Sequence, residues 1–227
     1  MANRTLINFI DLIRVERPEI RANADFPKAV IVRLINDAQK FVQVQLAHLG
    51  IKQWEATDSL TLSSGTLAGS NVKTAPLATD CPSRLFEGRD AVKYIETTGV
   101  SNNGIARYID DDLFIENLRN SYLVPTESEP IFTRKNNLLC LAPSTITAAT
   151  AVYYKSITDL SSDSDTTSIP ENYEEFIVKR ALIEVDSILE KLQNKVETIA
   201  QLEKDIKDSF QSFGFVKMEE PTNVKLQ

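Results

Sequence analysis

The sequence predicts a mostly α-helical protein with a small β insert. The helices form a bundle, an N-terminal helix plus a long C-terminal helical hairpin. The bundle carries an irregular antiparallel β subdomain and ends in an extended C-terminal arm. Three observations predict this. Apolar residues recur at spacings of three and four across residues 27–49 and again across 171–210, the period of a helix with one buried face. Between these stretches, from 53 to 157, that period fades and β-permissive and turn-forming residues take over. An apolar strand ending in Tyr153-Tyr154-Lys155 then passes through a polar loop, Asp159 to Ser168, into a helix entry at Ile169-Pro170-Glu171-Asn172-Tyr173-Glu174-Glu175-Phe176. That succession matches no catalytic signature and is the layout of a scaffold. The expected divisions are 1–52 for the N-terminal helices, 53–157 for the β-rich insert, 158–211 for the C-terminal helices and 212–227 for the arm.

Each element has its own local cause. Leu6, Ile7, Ile10 and Ile13, with Phe9 and Leu12 alongside, set a short helix over residues 4–15, and Pro18 ends it. Asp25 is the expected cap of the next helix, with Pro27 in its first turn, where a missing N–H costs nothing. That helix presents Ile31, Leu34, Ile35, Ala38, Val42, Leu46 and Leu49 on one face, and Gly50 closes it as a left-handed cap.

In the insert, strands are expected at Thr57 to Leu62 and Ala91 to Thr97, with a short helical piece near Leu113 to Leu118. Ile131 to Thr133 and Leu138 to Leu141 flank Arg134-Lys135-Asn136-Asn137 and predict a hairpin, because Asn tolerates positive φ. Ala148 to Ile157 is the strongest strand. Ser161 to Ser168 is polar and is expected to be an exposed, mobile loop, and Ser168 with Glu171 has capping-box spacing.

The C-terminal helices are expected to bury Phe176, Ile177, Ala181, Val185, Ile188 and Leu192, then Val196, Ile199, Leu202, Ile206 and Phe210. A turn at Gln193-Asn194-Lys195 separates them, with one bent helix as the alternative. Phe213 to Gln227 shows no helical stripe, and no internal repeat is present.

Bulk properties bound the function. The chain has 227 residues, 42% apolar and 25% charged, a size that folds without disulfide or metal staples. Cys81 and Cys140 are too few for a disulfide framework and are expected to be reduced thiols of a cytoplasmic product. The apolar runs fall well short of the roughly 20 residues that span a bilayer, so no membrane partner is expected. Met1 to Arg14 is interrupted by Asp11 and carries no small-residue cleavage site, so it does not match a secretory signal. The net charge of −7 divides into +2 over residues 1–55, −5 over 56–169 and −4 over 170–227. No segment is basic enough for sequence-specific duplex binding.

Candidate chemistry is sparse. His48 is the single histidine, near the end of its helix, where a cation complements the dipole; no nucleophile pattern accompanies it. One His and two distant Cys do not give zinc-ligand spacing. Asp110, Asp111 and Asp112 offer oxygens that suit a hard cation, or else favourable negative charge at a helix start. Asp159, Asp163 and Asp165 echo a calcium loop but lack its glycine and its terminal glutamate. Gly65 and Gly69 do not form a phosphate-cradling loop, and nothing singles out a glycosidase carboxylate pair. Trp54, Tyr94, Tyr108, Tyr153 and Tyr154 lie in or near strands without interleaved basic residues, which favours packing anchors over base stacking.

A resemblance emerges from the order of motifs. Asp80-Cys81-Pro82-Ser83-Arg84-Leu85-Phe86 resembles a Leu-Pro-Ser-Asp-Phe signature, with Cys81 in place of Leu and Ser83-Arg84 in place of Ser-Asp. It is followed by Leu138-Leu139-Cys140-Leu141-Ala142-Pro143, by Val152-Tyr153-Tyr154-Lys155, and by Ile169-Pro170-Glu171-Asn172-Tyr173. Over about residues 30–210 the chain resembles the head-to-tail adaptor family of tailed bacteriophages; the segment Ile95 to Ser128 is longer and more helical than that pattern.

The resemblance implies a structural virion protein, made in the host cytoplasm, in a ring of twelve copies. Its partners would be copies of itself, a portal protein, a downstream tail or second ring protein, and double-stranded DNA passing without sequence recognition. It implies no cofactor. Some relatives are credited with peptidoglycan hydrolysis, and no residue here takes on that role. A virion-carried hydrolase and a non-viral helical interaction module are the alternatives. The arm supplies the expected partner-binding residues, Phe213, Phe215, Val216 and Met218, which would order on binding.

Overall fold

The computed structural model describes residues 3–79, 81–82, 91–120, 122–135 and 138–212. The chain divides into two compact units, one built from Met1–Ile51 and Ile157–Gln227, the other from Lys52–Ser156.

The first unit is helical. Helix α1, Leu6–Glu16, buries Leu6, Phe9, Ile10 and Ile13, and a 3-10 turn at Pro18–Arg21 follows it. Helix α2, Lys28–His48, carries the predicted stripe into the core. Its N-cap position belongs to Pro27 instead of Asp25; the Asp25 amide is instead held by the Asn23 side chain at 2.8 Å. Its other end is closed as expected. Gly50 sits at φ +96°, its N–H reaches Ala47 O at 3.1 Å, and the Ile51 N–H reaches Leu46 O at 3.1 Å. These are the paired bonds of a Schellman motif.

The inner face of α2 is not wholly apolar. Asn36, Gln39 and Gln43 are buried, and their amides take the place of a partner strand for the chain returning from the second unit. Asn36 exchanges two hydrogen bonds with the Leu160 backbone, Gln39 Nε2 donates to Thr158 O at 3.0 Å, and the Ile157 N–H donates to Gln43 Oε1 at 3.3 Å. Every buried amide end so used avoids the cost of an unsatisfied polar atom.

Residues 161–164 are exposed, yet the loop is stitched down. The Leu6 and Ile7 amides donate to Asp165 O and Asp163 O at 2.8 and 3.2 Å, Asn3 Nδ2 donates to Thr167 O at 2.7 Å, and Thr5 bridges Thr166. The expectation of a mobile loop overlooked that the first amides of α1 lack intrahelical acceptors and take these carbonyls instead.

The C-terminal hairpin begins with a 3-10 turn at Glu171–Tyr173, and two further helices pack on α2. In chain order these are α4, Glu174–Ile188, and α5, Lys195–Ser212, with α3, Asp111–Arg119, lying in the second unit. The break falls earlier than Gln193. Glu190 adopts φ +56°, its N–H donates to Ser187 O and the Lys191 N–H to Asp186 O. Asn194 then caps α5: its Oδ1 accepts the Glu197 N–H at 3.2 Å and its Nδ2 donates to Glu197 Oε2 at 2.9 Å.

The second unit contains β1 Glu55–Ser59, β2 Ser63–Leu67, β3 Ser70–Pro76, β4 Val92–Thr98, β5 Asn103–Tyr108, β6 Ile131–Lys135, β7 Leu138–Ala142 and β8 Ala148–Tyr154. They form one curled sheet in the order β1-β8-β4-β5-β6-β7-β3-β2. All pairings are antiparallel except β5 with β6, which α3 connects. Phe114 of α3 is fully buried with Val72, Ile131, Cys140 and Ala142, anchoring the helix to the sheet. A bulge at Lys93 shifts the β4–β8 register and sends the ammonium to Glu55, close to the Tyr94 and Tyr154 rings.

This sheet corrects the expected fold class. The protein is 41% helix and 25% strand with eight strands, not mostly helical with a small β insert. Strands β2, β3 and β5 are rich in polar residues, as in Ser63-Ser64-Gly65-Thr66-Leu67, and their propensity is weak. Long-range pairing makes them strands, so single-segment patterns understate the sheet.

Candidate functional site

The acidic clusters serve local structure. Asp110 stands at the N-cap position of α3, with Asp111 and Asp112 in its first turn; Thr133 Oγ1 donates to Asp111 Oδ1. Asp159 pairs with Lys40 at 2.7 Å and Asp163 with Lys28. Asp165 accepts the Ser161 and Ser162 amides at 2.8 Å each, which hold its carboxyl below the usual carboxylate range. Among the described residues no group of three or more His, Cys, Asp or Glu side chains is placed to hold a metal. His48 ends α2 and lines a cleft of about 370 Å³ with Lys204 and Lys207 of α5. No described helix is long and apolar enough to cross a membrane.

The expected partner-binding residues Phe213, Phe215, Val216 and Met218 lie outside the described residues, as do Asp80 and Ser83 to Phe86 of the signature and Asn136-Asn137 of the hairpin. Of the aromatic anchors, Trp54 and Tyr153 are buried, while Tyr108 is exposed and meets Phe132 edge-on at 5.5 Å.

Among the described residues, exposed large apolar side chains gather in two places that bear on function. The first is the corner of the helical hairpin. Ile188, at 46% exposure, and Val196, at 79%, were both expected inside; α5 buries only Leu202 and Ile206. Leu189, Leu192 and Ile199 are half-buried around them. Ile188 ends α4, Val196 begins α5, and Leu189 and Leu192 lie in the turn between them, so exposed apolar side chains mark this corner.

The second surface lies in the β unit and escaped the sequence reading. Tyr122, 94% exposed, is followed by exposed Leu123 and Val124, and Val100 is exposed at the β4–β5 turn. Glu127 holds that turn. Its carboxylate accepts the Val100, Ser101 and Asn102 amides at 3.0, 2.7 and 2.9 Å. A Thr145 hydroxyl bond and these amides lower its pKa to about 2. Gly99 and Gly104 make the approach possible, because a Cβ on either would lie within 2.6 Å of Glu127 atoms. The available signal was Tyr122-Leu123-Val124-Pro125, three large apolar residues before a proline in an otherwise polar stretch.

Among the described residues, then, apolar surface is left open and no group of three His, Cys, Asp or Glu side chains is gathered to hold a metal. The family model described as SU10 adaptor protein matches residues 7–212, both units included. No curated protein matches the chain.

Proposed function

The chain belongs to the SU10 adaptor protein family, a phage head–tail adaptor family, and from that premise we propose that it is a structural virion protein forming a ring between portal and tail. Twelve copies close the ring, DNA passes through it, and its outer faces give the tail components a docking surface. The observation that carries the proposal is the uncovered apolar corner of the α4–α5 hairpin, centred on Ile188 and Val196. A ring is built from heterologous contacts, in which one face of each subunit meets a different face of the next. An uncovered corner beside a well-packed helical core supplies one such face. Net charge supports the passage of DNA: each chain contributes −7, and an acidic assembly repels phosphates, so the duplex slides instead of sticking.

The test is to mix the chain with the portal protein of the same phage and image the product. A twelvefold ring seated on the portal is the expected result. Particles with another symmetry overturn the copy number, and absence of any joint particle overturns the adaptor assignment. Turnover of cell-wall substrate by a solitary chain would establish the hydrolase alternative in its place.

A further inference from the structure

The two edges of the eight-stranded sheet are not alike. Edge strand β1 carries Glu55 and Asp58, charges of the kind that guard an edge against unwanted pairing. Edge strand β2, Ser63-Ser64-Gly65-Thr66-Leu67, has no charge, no proline and no bulge against β3. Lys73 on β3 donates to Ser64 Oγ at 3.2 Å. The β2–β3 turn is Ala68-Gly69, both at positive φ, 51° and 87°. In a two-residue hairpin of this kind the flanking pair exchanges both ladder bonds. Leu67 pairs with Ser70, Gly65 with Val72 and Ser63 with Thr74. By alternation, the backbone N–H and C=O of Ser64 and Thr66 turn to the free side. Both residues are exposed, and among the described residues no strand pairs there.

We propose that this edge receives Phe213 to Met218 of a neighbouring copy as an added antiparallel or parallel strand. The proposal rests on the ring reading above. Its occupant follows from three facts. Fifteen residues follow Ser212, the last residue of α5, in the sequence. Phe213-Gly214-Phe215-Val216 is uncharged and rich in strand-forming residues, which matches the uncharged edge. An extended segment of that length spans up to roughly 50 Å, enough to cross to an adjacent subunit. Strand addition would satisfy the Ser64 and Thr66 backbone groups and place alternate arm side chains on opposite faces of the sheet.

Disulfide trapping between full-length chains tests this. One tagged chain carries Thr66→Cys, and a second carries Cys in turn at 214, 215, 216 and 217. The natural Cys81 and Cys140 are buried and do not compete. The expected result is a cross-link between the two chains whose yield alternates from one position to the next by roughly tenfold, as side chains alternate along a strand. A chain with Asp58→Cys on β1 serves as the comparison. Yields no higher than that comparison, or equal at all four positions, overturn the proposal. So does a cross-link found only within a single chain carrying both cysteines. Because Thr66→Cys could disturb the hairpin, Ser64→Cys is run in parallel and must give the same alternation. Rings that form without the cross-link refute the added strand and leave the adaptor reading standing. A cross-link between chains that form no ring does the reverse.

Discussion

The Asn36 side chain holds the Leu160 backbone by two hydrogen bonds, donating from Nδ2 to the carbonyl at 3.0 Å and accepting the amide at 2.8 Å. Both groups are buried, and Gln39 Nε2 donates to the same Asn36 oxygen at 2.9 Å. Replacing Asn36 with Ala strands the Leu160 N–H and C=O, and takes from Gln39 Nε2 one of its two acceptors, leaving Thr158 O. The expected loss is about 2–4 kcal/mol of unfolding free energy, read from the urea midpoint at constant m. A loss below about 0.5 kcal/mol would mean that water replaces the amide.

Glu174 is a carboxylate at 1% exposure. Burial raises its pKa, against the opposing pull of the Arg4 amide and guanidinium. Its folded pKa lies above its unfolded value, so folding takes up a proton. Stability therefore falls as pH rises through the ordinary glutamate range toward the raised value, and stays lower above it. Glu174→Gln keeps an acceptor for the Arg4 amide and removes the titration. The variant is expected to gain on the natural protein as pH rises above the ordinary glutamate range in thermal melts. A difference that does not change with pH would count against a raised Glu174 pKa.

Glu127 behaves in the opposite sense. Its pKa is lowered to about 2, so its hold on the β4–β5 turn is complete above the usual glutamate range and is lost as pH falls toward 2. Glu127→Gln should speed amide exchange at Val100, Ser101 and Asn102 while leaving the sheet amides slow. Unchanged exchange at the turn would show that the loop is held by packing alone.

Glu190 occupies the left-handed position that ends α4, at φ +56°. A non-glycine residue there costs roughly 1–2 kcal/mol, partly offset by the larger unfolded-state entropy of glycine. Glu190→Gly is expected to stabilise the protein by about 0.5–1 kcal/mol, visible as a rise in Tm. A fall in Tm would show that the Glu190 side chain makes a contact that outweighs the strain.

Arg17 and Asp186 form a two-pronged ion pair, Nε to Oδ1 and Nη2 to Oδ2, both at 2.6 Å. It ties the chain just after α1 to the end of α4. Both side chains are partly exposed, so solvent screening limits its worth. A double-mutant cycle with Arg17→Ala and Asp186→Ala should give a coupling of about 1 kcal/mol, reduced in 1 M salt.

How much of this was legible depended on where each segment finds its partners. Helix α2 was readable nearly to the residue because its stripe and its Gly50 stop are both local. The Ala148–Tyr154 strand and the hairpin of β6 and β7 were readable from apolar runs and an intervening turn. Strand β2 was not, because Ser63-Ser64-Gly65 has nothing strand-like until β3 pairs with it. The exposure of Ile188 and Val196 was equally hidden. Periodicity reports that a helix has an apolar face, but not whether the same chain covers it. Glu127 left no trace in the sequence, since its role depends on two glycines more than twenty residues away.

The division of the chain carries a last consequence for its synthesis. Strands β1 and β8, side by side in the sheet, bring the two ends of the inserted segment together, so that unit closes on itself once residue 156 has left the ribosome. The helical unit cannot, because α1 and α2 wait for α4 and α5, encoded more than a hundred residues later. A prematurely terminated product thus owns a finished sheet and an unfinished bundle.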